Sequence, residues 1–156
     1  MSGKRIILKP GREKSLLRHH PWVFSGAVSA ATGRPDDGDW VEVFDAEGTF
    51  LAGGHYQPGS ITVRVIKDSP GEPDAGFWKT ALQNAAARRR LIVDSANTNV
   101  FRLVHGEGDY LPGLIVDVYN DIAVVQAHSA GMLKALPEIA AALSGLDFPL
   151  IKAVYN

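Results

Sequence analysis

Lys9-Pro-Gly-Arg-Glu-Lys-Ser-Leu-Leu-Arg-His-His-Pro-Trp-Val-Phe24 holds the elements on which the first half of the chain turns. Pro10-Gly11 stops the apolar run Arg5-Ile-Ile-Leu-Lys9, because neither residue continues a strand readily. Glu13 to Arg18 can form one or two helical turns, closed by Pro21, which disfavours the helical region at His20. Trp22-Val-Phe-Ser then alternates as a half-buried strand does. The same period-two pattern recurs in Trp40-Val-Glu-Val-Phe44 and Ile61-Thr-Val-Arg-Val-Ile66. Turns are expected at Pro35-Asp-Asp-Gly38, Asp45-Ala-Glu-Gly48, Gly53-Gly54 and Gln57-Pro-Gly59. Short strands at this spacing predict a small closed or nearly closed β-barrel.

Ser69-Pro-Gly-Glu-Pro73 resists both helix and strand and marks the best boundary in the chain. Beyond it, Asp74 is placed to cap a helix running to about Val93, with Phe77, Trp78, Ala81, Leu82, Ala85 and Ile92 at helical spacing. This helix is expected to bridge two domains. From Asn99 the order is strand, glycine-rich loop, strand, turn, strand, helix, strand. Asn120-Asp121 gives a hairpin signal, since both residues tolerate a positive φ. Pro137 falls within the helical stretch and either kinks one helix or begins a second. The β-branched run reaching Tyr155, with no turn after it, reads as the end of a fragment.

Composition narrows the classes further. With 46% apolar and 21% charged residues in 156, the chain is globular rather than disordered. It has no cysteine, which excludes disulfides, thiolate metal sites and a thiol nucleophile and fits a reducing cytoplasm. The net charge of −1 conceals an asymmetry: seven Lys/Arg against one acid up to Arg34, a balance of +6, precede a remainder of −7. A concentrated basic arm beside an acidic remainder points to a polyanion partner.

Lys9, Arg12, Lys14 and Arg18 are therefore candidates for phosphate contact. The nearby rings offer flat faces for unpaired bases. Alternating aromatics in a strand ordinarily pack inward, so Trp22 and Phe24, with Leu16 and Leu17, are expected in the barrel core. His19 and His20 point apart and lack further ligands at metal spacing. The loop Gly106-Glu-Gly-Asp-Tyr-Leu-Pro-Gly113 leads into a strand rather than a helix and carries two acids, which excludes a dinucleotide-type phosphate cradle. Arg88-Arg89-Arg90 spreads over about 200° of a helix and reads as solvated charge. No nucleophile, base and acid fall into a catalytic constellation.

Two long stretches carry a family resemblance. Leu8-Lys-Pro-Gly-Arg-Glu-Lys-Ser-Leu-Leu-Arg-His-His-Pro-Trp-Val-Phe-Ser-Gly-Ala-Val28 resembles the opening of the SAM-dependent ribosomal RNA large-subunit methyltransferases that begin with a PUA domain. Phe101-Arg-Leu-Val-His-Gly-Glu-Gly-Asp-Tyr-Leu-Pro-Gly-Leu-Ile-Val-Asp117 is similar to a second hallmark of that family. The resemblance implies a mixed α+β chain: a PUA-like β-barrel over residues 1–68, a linker and helix over 69–98, and an incomplete α/β middle domain (strand-strand-helix-strand) over 99–156. It also implies ribosomal RNA as partner, S-adenosylmethionine as the cofactor of a further domain bearing a catalytic cysteine, and a cytoplasmic location. No cofactor, metal or catalytic residue is assigned to these 156 residues themselves.

On this reading the chain is an RNA-binding module, with Lys9, Arg12, Lys14 and Arg18 on phosphates and His19 and Trp22 near bases. The alternative is a protein-interaction module whose basic arm is only solvated. On either reading, residues 150–155, as an exposed strand edge, offer a route to a homodimer.

Overall fold

The structure is a computed structural model that describes residues 3–156, so the first two residues of the 1–68 segment lie outside it. The chain forms two compact units, one built on residues up to Glu72 with Ser129–Gly131, the other on Pro73–His128 with Met132–Asn156. No helix among the described residues is long and apolar enough to cross a membrane.

In the first unit β1 (Arg5–Leu8), α1 (Lys14–Leu17), β2 (Trp22–Phe24), β3 (Val28–Thr32), β4 (Trp40–Phe44), β5 (Phe50–Tyr56) and β6 (Ile61–Lys67) follow one another. The six strands form one sheet in the order β2-β6-β5-β4-β1-β3. Its two edges, β2 and β3, are consecutive in sequence and joined only by the 3-10 turn Ser25–Ala27. Such a link spans roughly 14 Å at most, whereas a flat six-stranded sheet holds its edges about 24 Å apart. The sheet must therefore curl, and it does so around Ile6, Leu8, Val23, Val41, Val43, Ala52 and Val63, with Leu16 of α1 added to the same core.

Two strands differ from expectation. β3 has no apolar alternation and is largely exposed, so period two has nothing to report there. Gly53 and Gly54, expected as a turn, lie inside β5. A Cβ on Gly53 would sit 2.2 Å from Trp40 Cζ2, and one on Gly54 would sit 2.1 Å from the Arg64 carbonyl oxygen. These glycines serve close packing rather than chain reversal. Asp45 does reverse the chain, its Oδ1 accepting the amides of Glu47 at 3.0 Å and Thr49 at 2.7 Å.

The second unit holds α2 (Ala75–Ile92), β7 (Val100–His105), β8 (Leu114–Tyr119), β9 (Ile122–Ala127), α3 (Ala130–Lys134), α4 (Leu136–Ser144) and β10 (Ala153–Tyr155). Asp74 caps α2, its Oδ1 accepting the Phe77 amide at 2.8 Å. Trp78, Leu82, Ala85 and Ala86 form the buried stripe of α2, and Trp78 Nε1 donates to Glu138 Oε2 at 3.1 Å. The helix packs on α4 and β7, so it belongs to the second unit rather than standing as a linker between two. Ile92, expected on its buried stripe, is exposed.

The sheet order is β10-β9-β8-β7, with β10 parallel to β9 and the others antiparallel. Three strands precede the helices, as the residue pattern predicts and one more than the strand-strand-helix-strand order that the resemblance implies; Asn120 at φ 60° turns β8 back into β9. Pro137 stands in the first turn of α4, where its missing amide needs no partner, and so begins a second helix. The edge strand expected over 150–155 narrows to three residues, since Ile151 is buried.

Arg88 and Arg89 do not form a solvated face. Both guanidiniums converge on Asp109, whose carboxylate is almost fully buried: Arg88 donates at 2.8 Å, Arg89 at 2.5 Å, and the His105 amide at 2.7 Å. Arg89 Nε also donates to the Arg102 carbonyl at 2.7 Å, and Arg90 lies 5.0 Å from the Phe148 ring centre. The loop 106–113 is thereby pinned to α2 through its one buried acid.

Burial alone would raise the Asp109 pKa, but the His105 amide and the two guanidiniums outweigh it and hold the carboxyl below its ordinary value. A carboxyl depressed in the folded state stabilises fully above its unfolded pKa of about 3.9 and loses that contribution as pH falls through the folded value. Asp109→Asn should cost about 3 kcal/mol at neutral pH, since it leaves two guanidiniums uncompensated. Urea titrations at pH 7 and below pH 4 would show the gap between wild type and variant closing in acid. In the first unit, Gly54→Ala should lower stability by about 2 kcal/mol or more. Gly26→Ala meets open space and should change it by less than about 0.5 kcal/mol in the same titration.

Candidate nucleic-acid interface

The turn Lys9-Pro10-Gly11-Arg12 closes with the Arg12 amide donating to the Lys9 carbonyl at 3.1 Å, and Gly11 has φ +79°. Proline second and a left-handed glycine third is the arrangement a type II turn requires. It delivers the chain into α1, which ends in a Schellman motif. The His19 amide donates to the Leu16 carbonyl at 2.8 Å and the His20 amide to that of Ser15 at 3.0 Å. His19 occupies the left-handed position of this motif at φ 60°, where glycine is usual. A histidine there costs up to about 1 kcal/mol relative to glycine, and its ring is exposed.

The basic arm divides into two sets. Lys4 is ion-paired with Asp39, Arg5 lies 4.9 Å over the Phe44 ring, and Lys9 Nζ donates to the Gly26 carbonyl at 3.0 Å. The Asp39 partnership raises the Lys4 pKa. Arg12, Lys14 and Arg18 are exposed and make no ion pair among the described residues. They sit on one four-residue helix and its two flanks, with Lys14 and Arg18 four residues apart on the same side. Leu16 is buried, but Leu17, expected in the core, is 66% exposed.

Trp22 and Phe24 do not pack inward. Val23 between them is the residue that enters the core, paired with Val63, so both rings fall on the outer face. Phe24 is 46% exposed and Trp22 half-buried. His20 joins them: its ring centre is 5.9 Å from that of Trp22 and 5.8 Å from that of Phe24, and the Trp22 to Phe24 distance is 6.0 Å. The Trp22 amide donates to His20 Nδ1 at 3.2 Å, which orients the imidazole. Across the sheet Trp22 faces Arg64, whose guanidinium is held by the Gln57 side-chain carbonyl. Five of the six expected residues, Arg12, Lys14, Arg18, His19 and Trp22, thus lie on α1 and the strand that follows it. Lys9 is engaged on the neighbouring turn.

His20, Phe24 and Arg64 escape a sequence reading. The available signal is the valine between two aromatics, since a β-branched residue suits the crowded interior of a small barrel, but alternation fixes parity without saying which face is inside. Among the described residues no His/Asp/Glu group could hold a metal ion. The loop 106–113 does not form a nucleotide cradle: it enters β8, not a helix, and its buried acid is closed by Arg88 and Arg89.

Residues 6–68 match the PUA-like domain family. Over 144 residues the chain is 44% identical to ribosomal RNA large subunit methyltransferase I of Alteromonas mediterranea, covering 91% of this chain and 36% of that protein. The Escherichia coli protein of the same name is 42% identical over 129 residues, 81% of this chain and 33% of its own length. Residues 6–68 belong to the PUA-like domain family, and most of the chain is similar to part of ribosomal RNA large subunit methyltransferase I. The chain spans about a third of the length of the curated relatives it matches. A Streptococcus mutans protein described as a candidate SAM-dependent methyltransferase has the same fold, with a TM-score of 0.79 at 18% identity over 96% of this chain and 39% of its own. A second solved structure, of a candidate methyltransferase complexed with SAH, gives a TM-score of 0.79 at 17% identity, covering 97% of this chain and 40% of that one.

The left-handed histidine yields a direct check. His19→Gly should raise stability by about 0.5–1 kcal/mol in urea titration, because it removes backbone strain without removing a core contact. A loss of stability would mean that the ring supports the fold.

Proposed function

We propose that this chain binds ribosomal RNA and places it for methyl transfer, with the chemistry residing in parts of the family's proteins beyond the third that it spans. The observation carrying this reading is the set of three exposed, unpaired cations on α1 and its flanks, Arg12, Lys14 and Arg18, beside the outer aromatic face. Lys9 adds a fourth charge at the preceding turn. His19 and Trp22 stand where bases would lie if phosphates track the cations. S-adenosylmethionine, when bound by such a protein, supplies the methyl group; the residues of this chain would orient the RNA that receives it. The location that fits this work is the cytoplasm.

Protein binding is the second reading, favoured by Tyr155, 60% exposed on the edge strand β10, and by Leu150, 62% exposed just before that strand. Pairing through β10 would give a homodimer. Nuclease-insensitive association, with no retention of RNA, would select it.

Phosphate neutralisation releases counterions, so affinity for structured RNA should fall steeply with salt. Arg12→Ala or Arg18→Ala should each flatten the slope of log K against log salt by about 0.7–0.9. Fluorescence anisotropy with labelled ribosomal RNA fragments from low to moderate salt measures this. Salt-independent binding, or unchanged slopes in both variants, would remove the proposal.

A further inference from the structure

We propose that His20, Trp22 and Phe24 form a platform on which unpaired RNA bases stack, so that this surface selects single-stranded nucleotides rather than duplex. The inference rests on the RNA-binding reading and adds to it the kind of RNA that is held. Three observations support it.

The rings lie on the wrong side of β2 to serve the core. Val23 fills that role, and Phe24 is nearly half exposed although phenylalanine gains most from burial. The pairing of β2 with β6 also slips by one residue between Val23 and Phe24, with Thr62 the extra residue. Such a bulge re-aims a side chain at a strand end. Here it falls at the residue whose ring completes the cluster.

The rings meet steeply, at 75° for His20 on Trp22, 90° for Trp22 on Phe24 and 49° for His20 on Phe24. No ring of the three is sandwiched face to face between the other two. The contacts are edge-on or tilted rather than parallel stacks, and Phe24 keeps nearly half of its surface exposed; a ring's face is the surface a base uses.

The polar surroundings match a nucleotide rather than an apolar peptide. Arg64 faces Trp22 across the sheet, its guanidinium oriented by Gln57. Arg18 ends the helix two residues before His20. Rings for bases beside guanidiniums for the backbone are the combination that single-stranded nucleic acid requires. A duplex presents its bases only edge-on within grooves and has no face to offer.

The test compares two single strands of equal length and charge, one an oligoribonucleotide and the other carrying abasic sites in place of every base. The whole chain should bind the base-bearing strand about tenfold tighter or more. Trp22→Ala and Phe24→Ala should each erase most of that difference while leaving the abasic strand's affinity and salt slope unchanged. Trp22→Phe, which keeps a ring, should retain part of the preference and guards against a folding defect in the alanine variant. Equal binding of the two strands by the wild-type chain, or alanine variants that weaken both strands alike, would overturn the platform while leaving phosphate binding intact. Failure of both strands and of structured RNA to bind would instead overturn the RNA-binding reading itself.

Discussion

Three residues, Ser25–Ala27, join strands that sit at opposite edges of a six-stranded sheet, and that short link forces the sheet to curl. A curled sheet has a narrow inside. Its interior takes valine, isoleucine, leucine and alanine, together with glycines where Trp40 and the Arg64 carbonyl press against β5. Val23 goes in, paired with Val63, while Trp22 and Phe24 fall outside. The aromatic surface beside α1 is thus a consequence of closure. The same curvature that builds the core leaves the rings on its outer face.

Strand existence was legible wherever apolar residues alternate, as in Trp40–Phe44, which the structure reproduces residue for residue. It was illegible in β3, whose Val-Ser-Ala-Ala-Thr run carries no period of two, and in β5, where paired glycines imitate a turn. In both cases tertiary packing overrides the local signal, and a Cβ clash is visible only once the neighbours are in place. The facing of β2 could not be read for a different reason. Period two assigns Trp22 and Phe24 to one side and Val23 to the other, but the side that is inside depends on the size of the cavity, a property of six strands together.

The second unit shows the converse error. Three consecutive arginines look like solvated charge because they spread over about 200° of the helix. Asp109, the partner of Arg88 and Arg89, is about twenty residues away in a loop whose own acids argue against phosphate binding. One buried carboxylate explains both features: it binds Arg88 and Arg89 to the loop and uses the His105 amide to fix the turn. The acidic glycine-rich stretch and the arginine run, each uninformative alone, are two halves of one structural joint. The charges that reach solvent from that region are correspondingly fewer than the sequence suggests.

The same accounting sharpens the first unit. Of the cations that make up its +6 excess, Lys4 is matched by Asp39, Arg5 lies over Phe44, and Lys9 is held by the Gly26 carbonyl. Arg12, Lys14 and Arg18 remain around α1, with Arg34 exposed on the loop between β3 and β4. Three phosphate contacts give a salt slope of only about −2 to −3 and a modest, sequence-independent affinity, which the acidic remainder of the chain weakens at long range. Electrostatics of that size can attract RNA but cannot select among RNAs. Selection has to come from groups that sense something other than charge, and on this surface those are the left-handed His19 and the outward rings of His20, Trp22 and Phe24. The strain held at His19 fits the same view: a glycine would make a better helix end, and an exposed imidazole at that position contributes nothing to the core.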